Sequence, residues 1–159
     1  EDLSVPAGPP ELIRDDALWQ VFYKGDRRYG QPKAVAFFQV AQAEGAFGAG
    51  TTPRTSALAK LYRLSLQDAL NEYAYPAAAA GLQYSLDFTP RGAQLQFAGF
   101  SARLGDFAAA VARGVAAHVP ADEGKFRRYK DIVSRELRGF DSAQPYQHAA
   151  FYAKLYQYL

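Results

Sequence analysis

An α+β domain, an antiparallel sheet with helices packed on one face, is the fold class this sequence predicts. Three observations carry that expectation. Residues 57–100 read as a long helix, a corner and a β-hairpin, and the rest of the chain is organised around them. Segments before that stretch are aromatic and β-branched like strands, whereas those after it repeat at helical spacing. Finally, 159 residues, 49% apolar and 14% aromatic, suffice for one domain burying roughly two thirds of its unfolded surface.

Taken in order, residues 1–11 carry Pro6, Pro9 and Pro10, a composition that resists both regular structures and predicts a linker leading into a domain at 12–159. Residues 18–24, with Trp19, Val21 and Tyr23 on one face, predict a first strand. A connection around Arg27 and Arg28 follows. Residues 34–41 (AVAFFQVA) are apolar on both faces, as in a strand from the middle of a sheet. Gly45, Gly48 and Gly50 loosen the next segment, up to Thr52 as N-cap and Pro53 at the first helical position.

The helix that starts there bears Leu58, Leu61, Tyr62, Leu66, Ala69, Leu70 and Tyr73 at helical spacing. Pro76 predicts a break, followed by an Ala-rich turn capped by Gly81. From residue 82 the period becomes two. Leu82, Tyr84, Leu86 and Phe88 oppose Gln83, Ser85 and Asp87, while on the return Leu95 and Phe97 oppose Gln94 and Gln96. Between them, Pro90 and Gly92 predict a type I turn. Three helices complete the chain: one with Leu104, Phe107, Val111 and Val115, stopped by Pro120; one with Phe126, Tyr129, Val133, Leu137 and Phe140; and one entered at Pro145 with Ala149, Tyr152, Leu155 and Tyr156. A sheet of at least four strands is expected.

Composition excludes several chemistries. There is no cysteine, hence no disulfide framework, thiolate metal site or redox motif. A formal charge of +2 gives no reason to invoke nucleic acid, and no run is long and apolar enough to span a membrane. Methionine is absent even at position 1, which leads us to expect a piece of a longer protein from a compartment that stays open.

Candidate chemistry is sparse. His118 and His148 lie on different predicted helices, and neither has a second ligand one turn away, so no metal site and no catalytic residue is expected. At the end of a helix, His118 suits favourable interaction with the helix C-terminus. Lys125, Arg127, Arg128, Lys130, Arg135 and Arg138 are interrupted by Asp131 and Glu136, as on a solvated face laced with ion pairs. The most unusual cluster is Asn71, Glu72, Tyr73 and Tyr75, whose ordinary explanation is a pair of core tyrosines with hydroxyls at the surface.

The run LQDALNEYAY at 66–75, AGLQYS at 80–85 and the hairpin to Gly99 and Phe100 resemble the middle, third domain of the insulinase, or pitrilysin-type, family of zinc metallopeptidases. PELIRDD at 10–16, Leu18 and Trp19, QPKA at 31–34 and QPYQHA at 144–149 agree in order, so the resemblance spans the chain. It implies a family of four related α+β domains enclosing a chamber, with zinc held only by the first through a His-x-x-Glu-His motif. This chain lacks that motif and is similar to the non-catalytic third domain. Two departures stand out: Pro76 falls where relatives continue in small helical residues, and the family's domain runs beyond residue 159.

What the resemblance implies is a chamber domain that holds peptide substrates, with no cofactor of its own and zinc in the catalytic domain of its parent. Its partners would be the parent's other domains and peptides. The alternative is an inactive homologue serving as a structural subunit of a larger complex. Candidate substrate-binding residues are Tyr73, Tyr75, Gln83, Ser85, Gln94 and Gln96. Self-association is expected as well, with Phe151, Leu155 and Tyr156 near an exposed apolar surface.

Overall fold

The structure, a computed structural model, describes residues 8–26, 29–41, 52–89 and 92–157, with the backbone alone at 154, 155 and 157. Two compact units divide the chain, Glu1–Lys33 and Ala34–Leu159. The expected connection at Arg27 and Arg28, the glycine-rich segment and the type I turn at Pro90 lie outside the described residues, as does most of the expected linker.

In the first unit, strands β1 (Glu11–Asp15) and β2 (Gln20–Tyr23) pair antiparallel, with an irregularity between Leu12 and Arg14. Asp16 builds their connection. Its carboxylate accepts from the backbone N–H groups of Leu18 and Trp19 at 2.9 and 2.8 Å and from Arg14 Nε. Those bonds, the Leu18 N–H foremost, hold the Asp16 carboxyl below its ordinary range.

The second unit carries the core. A three-stranded sheet has the order β3 (Lys33–Ala41), β5 (Gly92–Phe100), β4 (Gln83–Thr89). Strands β4 and β5 form the expected hairpin, in the register Tyr84↔Phe97, Leu86↔Leu95 and Phe88↔Ala93. Period-two alternation therefore places these six residues on one face, against helices α1 (Pro53–Ala79) and α2 (Ser101–Ala117). Leu66 and Leu70 of α1, Leu86, Leu95 and Phe97 of the hairpin, and Leu104, Phe107 and Val111 of α2 make one buried cluster. Helix α3 (Glu123–Asp141) adds buried Tyr129 and Val133, and α4 (Pro145–Gln157) follows. Phe140 packs edge-on against Phe151 at 4.9 Å, Tyr156 is exposed, and the side chain of Leu155 lies outside the described residues.

The α+β class is as the sequence predicts, and three details differ. The described strands divide two and three between separate sheets, where one sheet of at least four was expected. Strand β3 is an outer strand among them, with Val35, Phe37 and Val40 more than half exposed, although its two apolar faces suggested a central one. Helix α1 also runs through Pro76 without ending. Proline costs a helix one donor, and so near the end the last turn closes without it: Ala80 N–H donates to the Pro76 carbonyl. Gly81, at φ +80°, then terminates the helix as expected, its N–H reaching Ala78 and the next N–H, of Leu82, reaching Ala77.

Gly99 decides how closely the hairpin approaches that corner. At φ +145° it lies where side-chain-bearing residues are strained, and an added Cβ would run into the Gly81 carbonyl and Leu82. Gly99→Ala should cost ~2 kcal/mol or more in urea unfolding. Gly105→Ala, in α2 where an added Cβ meets nothing, should be neutral or stabilising by up to ~1 kcal/mol. Equal effects at the two positions would remove the steric argument.

Candidate functional site

The hairpin's second face is polar because its alternation is regular. Ser85 pairs with Gln96 and Asp87 with Gln94, while Gln83 faces Ala98. Ser85, Asp87 and Gln96 are exposed and Gln94 is half-buried. Gln94 donates an amide hydrogen to the Gln39 side-chain oxygen on β3 at 2.7 Å, which carries the polar row across all three strands. Asp87 is neutralised by Arg63 at 3.0 Å. The result is a row of amides and a hydroxyl, each able both to donate and to accept.

Four of the six expected site residues, Gln83, Ser85, Gln94 and Gln96, therefore share this surface. Tyr73 does not. Its ring stacks on Phe107 at 6.0 Å, and Phe107 in turn meets Phe97 and Tyr84 on the apolar side of the sheet. Tyr73 is 49% exposed and Tyr75, two residues on along α1, is 75% exposed. The tyrosines thus belong to the helical side, with the sheet between Tyr73 and the polar row. Burial raises the Tyr84 hydroxyl above its usual pKa, so it stays protonated in the core.

Sequence reasoning did not find a groove of about 810 Å³ where the helices diverge over the turn end of the sheet. Val40, Phe88 and Leu95 floor it, Leu58 and Tyr62 of α1 form one wall, and Phe126 of α3 another. Ser65 Oγ and His118 Nε2 lie 2.9 Å apart on its lining, and the Tyr62 hydroxyl donates to the Val115 carbonyl at 3.2 Å. These partners stand 53 positions apart in sequence, so no local spacing signals them.

Beside the groove, Asp68 ties α1 to α3. Its Oδ2 accepts from Lys125 Nζ and from the Tyr129 hydroxyl, both at 2.8 Å, with Arg128 3.5 Å from Oδ1. The Lys125 hydrogen bond, then that of Tyr129, holds the Asp68 carboxyl below its usual range. In return the Asp68 hydrogen bond raises Lys125, while burial first and Asp68 second raise Tyr129.

His118 follows the last residue of α2 as its C-cap, the helix-end position expected for it, and is bonded to Ser65. His148 packs edge-on against Phe140 at 4.5 Å. Among the described residues no three His, Cys, Asp or Glu side chains gather as metal ligands. The basic face of α3 is laced with ion pairs, Arg127 to Glu123 and Glu136 to Lys60 of α1, and Arg135 donates to the Asp131 backbone carbonyl. No described helix is long and apolar enough to cross a membrane.

Comparison with known proteins agrees with the α+β fold. Residues 1–157 match the family model described as the middle or third domain of peptidase M16. Insulin-degrading enzyme of Bos taurus is 34% identical over 146 residues, covering 92% of this chain and 14% of that protein. A putative zinc protease of Schizosaccharomyces pombe is 30% identical over 143 residues, covering 88% of this chain and again 14% of the relative. In structure, the crystal structure of pitrilysin superposes with a TM-score of 0.70 at 22% identity, over 81% of this chain and 13% of that one. The chain thus spans about one seventh of the curated relatives it matches.

Asp68 supplies a pH test. With its folded pKa below the ordinary 3.8, the charged carboxylate contributes stability that is complete above that value and is lost as pH falls through the folded pKa. Asp68→Asn has no such charge to lose. Its melting temperature should fall below wild type at about pH 6, and the two curves should converge in acid below the folded pKa. A gap of the same size at both pH values would assign Asp68 no electrostatic role.

Proposed function

Because the chain belongs to the peptidase M16 family, as its middle or third domain, we propose that it is a non-catalytic domain of a zinc metallopeptidase, holding peptides in a chamber while another domain cuts them. The observation that carries this reading is the polar row of Gln83, Ser85, Gln94 and Gln96, set on the sheet face opposite the buried core. An extended peptide offers alternating N–H and C=O groups, and side-chain amides and hydroxyls can answer both without demanding a charge. Tyr73 and Tyr75 offer a second, aromatic contact on the helical side.

Zinc finds no fitting set of ligands among the described residues. His118 is engaged with Ser65, His148 packs on Phe140, and among the described residues neither belongs to a gathered set of three metal-ligating side chains. An open catalytic zinc site needs three protein ligands and a water. In this reading the metal belongs to another domain of the parent, and the chain's partners are those domains and the peptide.

Two measurements test the proposal. In the full-length parent, Gln94→Ala combined with Gln96→Ala should raise KM for peptides ~3- to 10-fold with kcat little changed and melting temperature nearly preserved, as for lost uniform binding. Unchanged kinetics in folded variants would leave the polar row a solvated surface only. By itself, the chain should retain no stoichiometric zinc in equilibrium dialysis and release no product from a fluorogenic peptide. Tight zinc with chelator-sensitive turnover would overturn the non-catalytic assignment.

A further inference from the structure

The groove beside α1 holds a pair of side chains that the peptide-holding role does not use. Ser65, midway along α1, is half-buried, and its Oγ lies 2.9 Å from Nε2 of half-buried His118 at the end of α2. A hydroxyl within hydrogen-bond reach of an imidazole is the arrangement that activates a weak nucleophile, provided the base is itself held in place. Tyr62 holds it. Three residues before Ser65, its ring tilts against the His118 ring with centroids 5.6 Å apart, and its own hydroxyl is pinned to the Val115 carbonyl. His118 also follows the last residue of α2, where the terminal backbone carbonyls of a helix meet a developing positive charge favourably. Asp68, three residues after Ser65 on α1, draws the Lys125 ammonium to the same lining and takes one of its three N–H groups.

We propose that Ser65 and His118 form a nucleophile–base pair that accepts acyl groups from small aryl esters of apolar carboxylic acids. The walls select the acyl chain: Leu58, Phe88, Leu95 and Phe126 suit a hydrocarbon, and the volume of about 810 Å³ is that of a small-molecule site. Ser65 Oγ adds to the ester carbonyl carbon as its proton passes to His118 Nε2. Negative charge develops on the carbonyl oxygen, and the Lys125 ammonium is the cation on the lining that answers it. On collapse the ester C–O bond breaks, His118 returns the proton to the departing phenoxide, and the acyl group stays on Ser65. Water, deprotonated by His118, then cleaves the acyl-serine and restores both residues. A peptide amide, with a far poorer leaving group, is not expected to react, so this activity stands apart from the peptide-holding role and leaves the domain non-catalytic toward peptides.

Acylation is tested in the full-length parent, treated with a chelator so that zinc chemistry is silent, using nitrophenyl butanoate and, separately, an alkyl fluorophosphonate. Peptide mass spectrometry should find the butanoyl or phosphonyl mass on Ser65. Ser65→Ala should abolish it, whereas Ser134→Ala, on α3, should leave it intact. His118→Gln keeps a hydrogen-bonding side chain but supplies no base, so the rate of acylation should fall roughly 100-fold or more with the melting temperature nearly preserved. Ser65→Cys, which keeps a nucleophile beside the imidazole, should still take the butanoyl group. No mass on Ser65 overturns the proposal, and this is also the result if another domain of the parent closes the groove. Acylation that survives His118→Gln overturns the pairing, because the serine would then react without its base. Phosphonylation with no butanoyl transfer overturns the assigned substrate class.

Discussion

The packing of Phe107 against the hairpin is the contact on which the rest of the second unit depends. Its ring, 2% exposed, meets Phe97 at 6.1 Å and Tyr84 at 6.3 Å, and Tyr73 of α1 stacks on it from the helical side. One side chain of α2 thus joins both strands of the hairpin to α1. Edge-on and offset aromatic pairs of this kind contribute ~0.5–1.5 kcal/mol each beyond the area they bury. The contact can form because α2 follows β5 with no loop between them, Phe100 ending the strand and Ser101 starting the helix. Gly114 lets α1 and α2 close on each other, since a Cβ there would run into the Leu70 side chain. Geometry at both ends of α2 is therefore set by what a glycine permits.

Much of this was legible in the sequence because it is written at short range. The hairpin's alternation, the α2 stripe of Leu104, Phe107 and Val111, and the Gly81 stop each depend on residues a few positions apart, and each appears where the pattern places it. Strand β1 was not legible, since Glu11, Arg14 and Asp15 interrupt any apolar period and the connection rests on Asp16 binding the next backbone turn. Pro76 misled for a different reason. Its penalty is severe in mid-helix but small one turn from an end whose capping bonds are already made by Gly81 and Leu82.

The candidate site divides along the same line. Gln83, Ser85, Gln94 and Gln96 could be read from period two, and the strand register brings Ser85 and Gln96 opposite one another. Tyr73 could be placed on the apolar stripe of α1 from its spacing, but the partner that fixes its ring, Phe107, belongs to another helix and could not be read locally. The groove and the Asp68 cluster were invisible for the same cause: Ser65 with His118, and Asp68 with Lys125 and Tyr129, become neighbours only when α1 meets the end of α2 and the start of α3. Chemistry carried by spacing can be read locally, whereas chemistry carried by packing needs the fold.

One consequence joins the polar row to the proposed role. A surface that recognises peptides through charge selects among them by sequence, because only some carry the matching ion. The row on β4 and β5 has one carboxylate, Asp87, and Arg63 already neutralises it. What remains are amides and a hydroxyl, whose natural partners are backbone N–H and C=O groups that every peptide shares. Neutral hydrogen bonds of this kind are individually modest, about 0.5–1.5 kcal/mol net. In the proposed role, several together hold an extended segment loosely enough to let it go. Weak, sequence-indifferent contact is what a holding surface requires when the bond to be cut lies in another domain, because a peptide gripped tightly here would not move on.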